Sequence, residues 1–120
     1  MVRFPSRVTH LLLSTDLWVS ALIRRAELAG AYATVVRRGD ARAGSVIVKA
    51  FDTSNRRARL YVEATGPDGD RLWMQPVESE AEHELDAYVA RQHGYDPDLW
   101  VVEIEEREGR HFLTETVAGE

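Results

Sequence analysis

Two β-rich runs set close together constrain the fold of this chain more than any other feature. Ser45 to Phe51 reads SVIVKAF and Ala58 to Ala64 reads ARLYVEA, with Thr53-Ser54-Asn55 between them. β-Branched and aromatic residues recur along both runs and turn formers separate them, which predicts a β-hairpin. Centring the turn on Ser54 sets Val46 opposite Val62, Val48 opposite Leu60 and Ala50 opposite Ala58. That face is wholly apolar. The other face then carries Ile47 with Tyr61, Lys49 with Arg59 and Phe51 with Arg57, and Asp52 meets Arg56 beside the turn. Agreement of both runs at one register is what a strand pair with one buried face requires.

The flanking segments extend the pattern. Asp16 is a good N-cap and Gly30 a good residue just past a C-terminus, so a helix is expected over Leu17 to Ala29. Its apolar stripe is Leu17, Trp18, Ala21, Leu22 and Leu28. Ala31 to Arg38 is a strand, and the glycine-bracketed segment Gly39 to Gly44 a turn. Gly66-Pro67-Asp68-Gly69 is a turn leading into a strand over Arg71 to Val77. A second helix is expected over Glu80 to His93, with Ser79 and Glu82 as a capping box, Ala81, Leu85, Tyr88 and Val89 as its buried stripe, and Gly94 ending it. The turn Tyr95-Asp96-Pro97-Asp98 precedes a strand over Leu99 to Glu105, and His111 to Thr116 suits a short last strand. In that last full strand either Trp100, Val102 and Ile104 or Leu99 and Val101 face inward. The expected core is Trp18, Val46, Val48, Leu60, Val62, Leu85, Trp100 and Val102. The order α-β-β-β-β-α-β(-β), with tight turns between strands, predicts an α+β domain: a mostly antiparallel sheet of about five strands with both helices on one face.

The 120 residues fit one domain. Cysteine is absent, which excludes disulfides, thiolate metal sites and cysteine nucleophiles. The net charge of −5 disfavours nucleic acid and anionic membrane as general partners. Leu11-Leu12-Leu13 is too short for the apolar region of a signal peptide, and no stretch reaches the roughly 20 apolar residues of a membrane span. Residues 1–15 read as a flexible leader, residues 16–120 as the domain, and the cytoplasm as its location.

Candidate chemistry lies in two places. Lys49, Phe51, Arg57, Arg59 and Tyr61 share the second face of the hairpin at the expected register. Aromatic and basic side chains on one sheet face can stack bases and hold phosphates, while the bland alternative is solvated arginines over an exposed face. The second group is acidic with a histidine: Asp96, Asp98, Glu103, Glu105, Glu106 and His111. Such sets bind metals, but Glu103 and Glu105 also fit the outward side of a strand and Asp96 and Asp98 fit a turn. Asp98 is expected to accept backbone N–H groups there, and Arg24 and Arg25 to pair with the Asp96–Asp98 junction if both helices share a face. His83 and His93 lie ten residues apart on one helix and so do not form a pair. No H-E-x-x-H, G-x-S-x-G or phosphate-binding glycine loop occurs. The element order is similar to the core of PD-(D/E)xK nucleases, with Asp52 as a first acid. Glu63, however, is followed by Ala64 and Thr65, and Lys49, the single lysine, precedes Asp52.

Three stretches together resemble a known family. They are Leu17 to Ala21 with Ile23-Arg24-Arg25, then Ala43 to Lys49, then Asp96 to Glu105 (DPDLWVVEIE) with Gly109 to Leu113 (GRHFL). This set is similar to a family of small alphaproteobacterial proteins classed as a domain of unknown function, over about Leu17 to Leu113. The resemblance implies a bacterial, cytoplasmic, stand-alone domain, and it carries no catalytic residues to transfer. The expected function is a non-enzymatic binding or interaction module without a cofactor, acting on a protein partner or on a second copy of itself. A metal-assisted hydrolase or nuclease using Asp52, Glu63 or the Asp96–His111 region is the alternative, with nucleic-acid binding through the hairpin face as a third reading.

Overall fold

A computed structural model describes residues 13–120; the expected leader, apart from Leu13, Ser14 and Thr15, lies outside them. Helix α1 (Thr15–Leu28) is followed by β1 (Tyr32–Arg37), β2 (Val46–Asp52), β3 (Arg57–Thr65) and β4 (Arg71–Met74), then α2 (Glu82–Tyr95) and β5 (Trp100–Glu106). The five strands form one sheet in the order β1-β5-β2-β3-β4. The α+β class and element order are as expected, without the optional last strand. The sheet is mixed, because β5 inserts between β1 and β2 and runs parallel to β2.

The position of β5 follows from its composition. Trp100, Val102 and Ile104 are buried on one face, and Val101 is buried on the other. Both sets of inward candidates are therefore used, which is the pattern of a central strand covered on both sides. Val46 to Phe51 of β2 are buried without interruption for the same reason. Two apolar faces need two covers. Trp18, Val19, Leu22 and Ala26 of α1 pack with Val46, Val48, Ala50, Tyr61, Trp73, Trp100, Val102 and Ile104. On the opposite face Leu85 of α2 packs with Ile47, Phe51, Ala58, Leu60 and Leu99. The helices therefore cover opposite faces, not one. The expected stripe on α1 is also rotated: Leu17 and Leu28 are exposed, while Val19 and Ala26 are buried. The core expectation holds, with Val62 only half-buried.

The hairpin register differs from the sequence reading by one residue. Val48 pairs with Tyr61, Ala50 with Arg59, Lys49 with Leu60 and Phe51 with Ala58. The loop has four residues, not three. Arg56 takes a left-handed φ of 59° and donates its N–H to the Asp52 carbonyl at 2.8 Å. Asp52 Oδ1 accepts the Ser54 N–H at 2.9 Å, and Asn55 Oδ1 accepts that of Arg57 at 3.0 Å. These side chains stabilise the longer loop, and a one-residue slip moves each β3 side chain to the other face.

Three further local expectations change. Asp16 is not the N-cap of α1: Ser14 holds that position without a side-chain cap hydrogen bond, and Asp16 lies in the first turn. The capping box at α2 does not form: Ala81 is the N-cap, and the Ser79 hydroxyl accepts the Ala81 N–H. The Glu82 carboxylate is engaged elsewhere, as described below. The segment from His111 crosses the α1 side of the sheet, with Phe112 and Leu113 half-buried against that core. It makes a single bridge, from Val117 to Trp73, in place of a strand.

Candidate functional site

A cleft of about 470 Å³ opens between α2 and the β1–β5–β2 part of the sheet. Helical spacing places Glu82, Asp86, Val89, Ala90 and His93 of α2 along it. The strands contribute Val36 and Arg37 from β1, Lys49 from β2, and Val101 and Glu103 from β5. Parallel pairing sets Lys49 directly beside Glu103.

Lys49 is the charged centre of this cleft and is only 4% exposed. Its Nζ donates to Glu82 Oε2 at 2.6 Å and to Asp86 Oδ1 at 2.9 Å. Glu103 Oε2 lies 3.6 Å away. Burial alone lowers the pKa of a lysine, but the two hydrogen-bonded carboxylates and the charge of Glu103 outweigh it, so Lys49 sits above its ordinary value. Burial raises Glu103, the Lys49 charge opposes this, and neighbouring Glu105 and Glu82 add to the rise. The result is an ammonium locked in place. A lysine nucleophile or general base must be neutral, so this geometry withdraws Lys49 from both roles.

A family model described as a protein of unknown function, DUF1491, matches residues 13–114. The chain belongs to the DUF1491 family. A crystal structure of a DUF1491 family protein from Caulobacter crescentus CB15 is 67% identical, with a TM-score of 0.87, over 88% of this chain and 99% of that one. An NMR structure of a DUF1491 family protein from the same organism is 66% identical, with a TM-score of 0.84, over 90% and 98%. A solution structure of a protein from A. tumefaciens is 31% identical, with a TM-score of 0.76, over 90% and 98%. No curated protein matches. The resemblance seen in the DPDLWVVEIE and GRHFL motifs is thus to the right family.

In this DUF1491 chain the five hairpin residues do not form one surface. Lys49 and Phe51 are buried on the α2 side. Tyr61 is buried on the α1 side, in edge contact with His111 at 4.8 Å. Arg57 and Arg59 are exposed and both pair with Glu80 at 3.2 Å. The register slip splits the set, leaving no basic–aromatic platform.

The acidic junction is also divided. Asp96 Oδ1 accepts the Asp98 N–H at 3.1 Å, so Asp96 performs the turn role expected of Asp98. The Asp98 carbonyl accepts the Asp40 N–H at 3.0 Å. Arg25 bonds the Phe112 carbonyl at 3.2 and 3.1 Å, and Arg24 is exposed, so neither meets the junction. His111 lies beyond the other end of β5, beside Tyr61. Asp52 and Glu63 stand at opposite ends of the hairpin, Asp52 at its loop and Glu63 accepting the Val46 N–H at 2.8 Å. Among the described residues no three His, Cys, Asp or Glu side chains cluster closely enough to hold a metal ion, and no helix is long and apolar enough to cross a membrane.

The sequence reading missed Glu82, Asp86, Val36, Arg37 and His93 as cleft residues. A signal was present: one lysine in the chain, at an apolar strand position, and an acidic pair four residues apart on the second helix. What hid it was the assignment of Glu82 to a cap and of Lys49 to a solvated face.

Proposed function

We propose that this chain is a non-enzymatic binding module of the cytoplasm whose protein ligand occupies the cleft between α2 and β1–β5. The carrying observation is the makeup of that cleft. Val36, Val89, Ala90 and Val101 offer an apolar wall, and on the floor three carboxylates, Glu82, Asp86 and Glu103, hold the Lys49 ammonium in a cluster of net negative charge. Apolar clefts with a few fixed polar groups suit ligand binding. A lysine already fixed by hydrogen-bonded carboxylates supports recognition better than proton transfer by that lysine, which needs a free base.

Selection of random displayed peptides against the immobilised chain tests this reading. Ala90 is exposed, so Ala90→Arg fills the cleft mouth without disturbing the core. The expected result is peptides that bind the parent and weaken by at least about tenfold on the variant, with amide shifts at Val36, Val89 and Val101. Peptides that bind both forms equally, or a selection that yields none, would overturn it.

A further inference from the structure

The two edges of the sheet are finished differently. Along β3 the Ala58 N–H donates to the Glu80 carbonyl at 3.0 Å. At β4, Trp73 N–H donates to Thr116 at 2.9 Å, and its carbonyl accepts from Ala118 at 2.8 Å. Chain segments thus cover that side. On the opposite side β1 pairs only with β5, and among the described residues no backbone bridge covers its outer edge. Edge strands are usually blunted by proline, lysine, a charge or a β-bulge. Tyr32 to Val35 contains none of these. The irregularity at Val36 comes at the far end, where Val35 pairs with Val102 and Arg37 with Val101.

Two large apolar residues are exposed on this edge, Tyr32 at 67% and Val36 at 59%. They stand two residues either side of Thr34. Antiparallel pairing of two identical strands needs a two-fold axis normal to the sheet. An axis through Thr34 sets Thr34 against Thr34 of the second copy, Ala33 against Val35, and Tyr32 against Val36. Thr–Thr and aromatic–β-branched pairs are favourable cross-strand neighbours. Charge obeys the same axis. Glu105 is the β5 neighbour of Tyr32, and Arg37 lies at the other end of β1. The two-fold brings Arg37 of each copy toward the acidic end of the other.

We infer that the chain self-associates through β1, the two five-stranded sheets joining into one. Val36 belongs both to this edge and to the cleft wall, but self-association stands on the unpaired edge and is read by sedimentation, whereas the cleft reading is read by peptide binding to Ala90→Arg, so the two failures are distinguishable. A strand pair six residues long falls in the small, transient class of interface, with dissociation at roughly 10 to 100 µM.

Sedimentation equilibrium from about 1 µM to 1 mM spans that range. The parent is expected to pass from monomer to dimer. Val36→Lys raises the dissociation constant at least about tenfold, because the pair is lost twice. The double variant Tyr32→Glu with Val36→Lys recovers to within about threefold of the parent, since the two-fold then sets each new acid against a new base. Both positions are largely exposed, and unchanged thermal melts of the variants at monomer concentration confirm that the fold is intact. A parent monomeric throughout, a Val36→Lys variant that dimerises as the parent does, or a double variant no tighter than the single one overturns the inference.

Discussion

Replacing Lys49 by Met removes the charge at the centre of the cleft while keeping an apolar stem of similar length. Two charge-assisted hydrogen bonds are lost. In a dry site each is worth roughly 1.5–3 kcal/mol, but the partner side chains of Glu82 and Asp86 are 42% and 58% exposed. Water replaces much of what they lose, leaving about 1 kcal/mol each. Glu103, whose side chain is 24% exposed, loses a cation at 3.6 Å, which adds about 1 kcal/mol after screening. Removing a buried ammonium returns about 1 kcal/mol of desolvation. The variant should be about 2 kcal/mol less stable at pH 7, or about 8 °C in Tm for a domain of this size. Urea unfolding measures it. The penalty also has a pH signature. Glu103 is raised in the fold, and loss of Lys49 raises it further. An acid with a raised folded pKa gains stability as pH falls through that value toward its ordinary one, and the variant gains more than the parent. The penalty should therefore shrink between pH 7 and pH 4. On the alkaline side Lys49 is raised above its ordinary 10.5, so its contribution persists to that pH and fades as pH climbs through the folded value. A variant as stable as the parent at pH 7, or a penalty unchanged at pH 4, would refute the view of Lys49 as a locked ammonium.

Three further outcomes are expected. Trp100→Ala should cost roughly 3–5 kcal/mol by urea unfolding, because the ring is 1% exposed and its indole N–H donates to the Asp40 carbonyl at 2.7 Å; an unchanged midpoint would contradict the central placement of β5. Gly39→Ala should lower Tm by at least about 8 °C, corresponding to roughly 2 kcal/mol, since a Cβ there would overlap the Asp98 carbonyl and the β1–β2 loop would have to move. Asp96→Ala should lose about 1 kcal/mol with its hydrogen bond to the Asp98 N–H, while Asp98→Ala stays within about 0.5 kcal/mol of the parent in the same assay; the reverse order would return the turn role to Asp98.

The sequence by itself determined which segments are helix and which are strand, and most of the core. Those properties are local: side-chain periodicity and turn formers act within a few positions, and Gly30, for example, takes the positive φ of 89° that ends α1. The family was legible too, in the motifs around β5. The tertiary structure alone decided three things. It chose the four-residue loop, where a single extra residue, Arg56 in a left-handed conformation, reversed the faces of β3 and dispersed the basic–aromatic set. It placed β5 between β1 and β2, because a strand apolar on both sides reaches its lowest free energy covered on both. It then sent α2 to the face opposite α1, bringing Glu82 and Asp86 onto Lys49 across 33 and 37 residues of chain. A lysine on an apolar strand looks solvated in the sequence. Only the packing of a distant helix supplies the carboxylates that let it be buried, and with them the cleft.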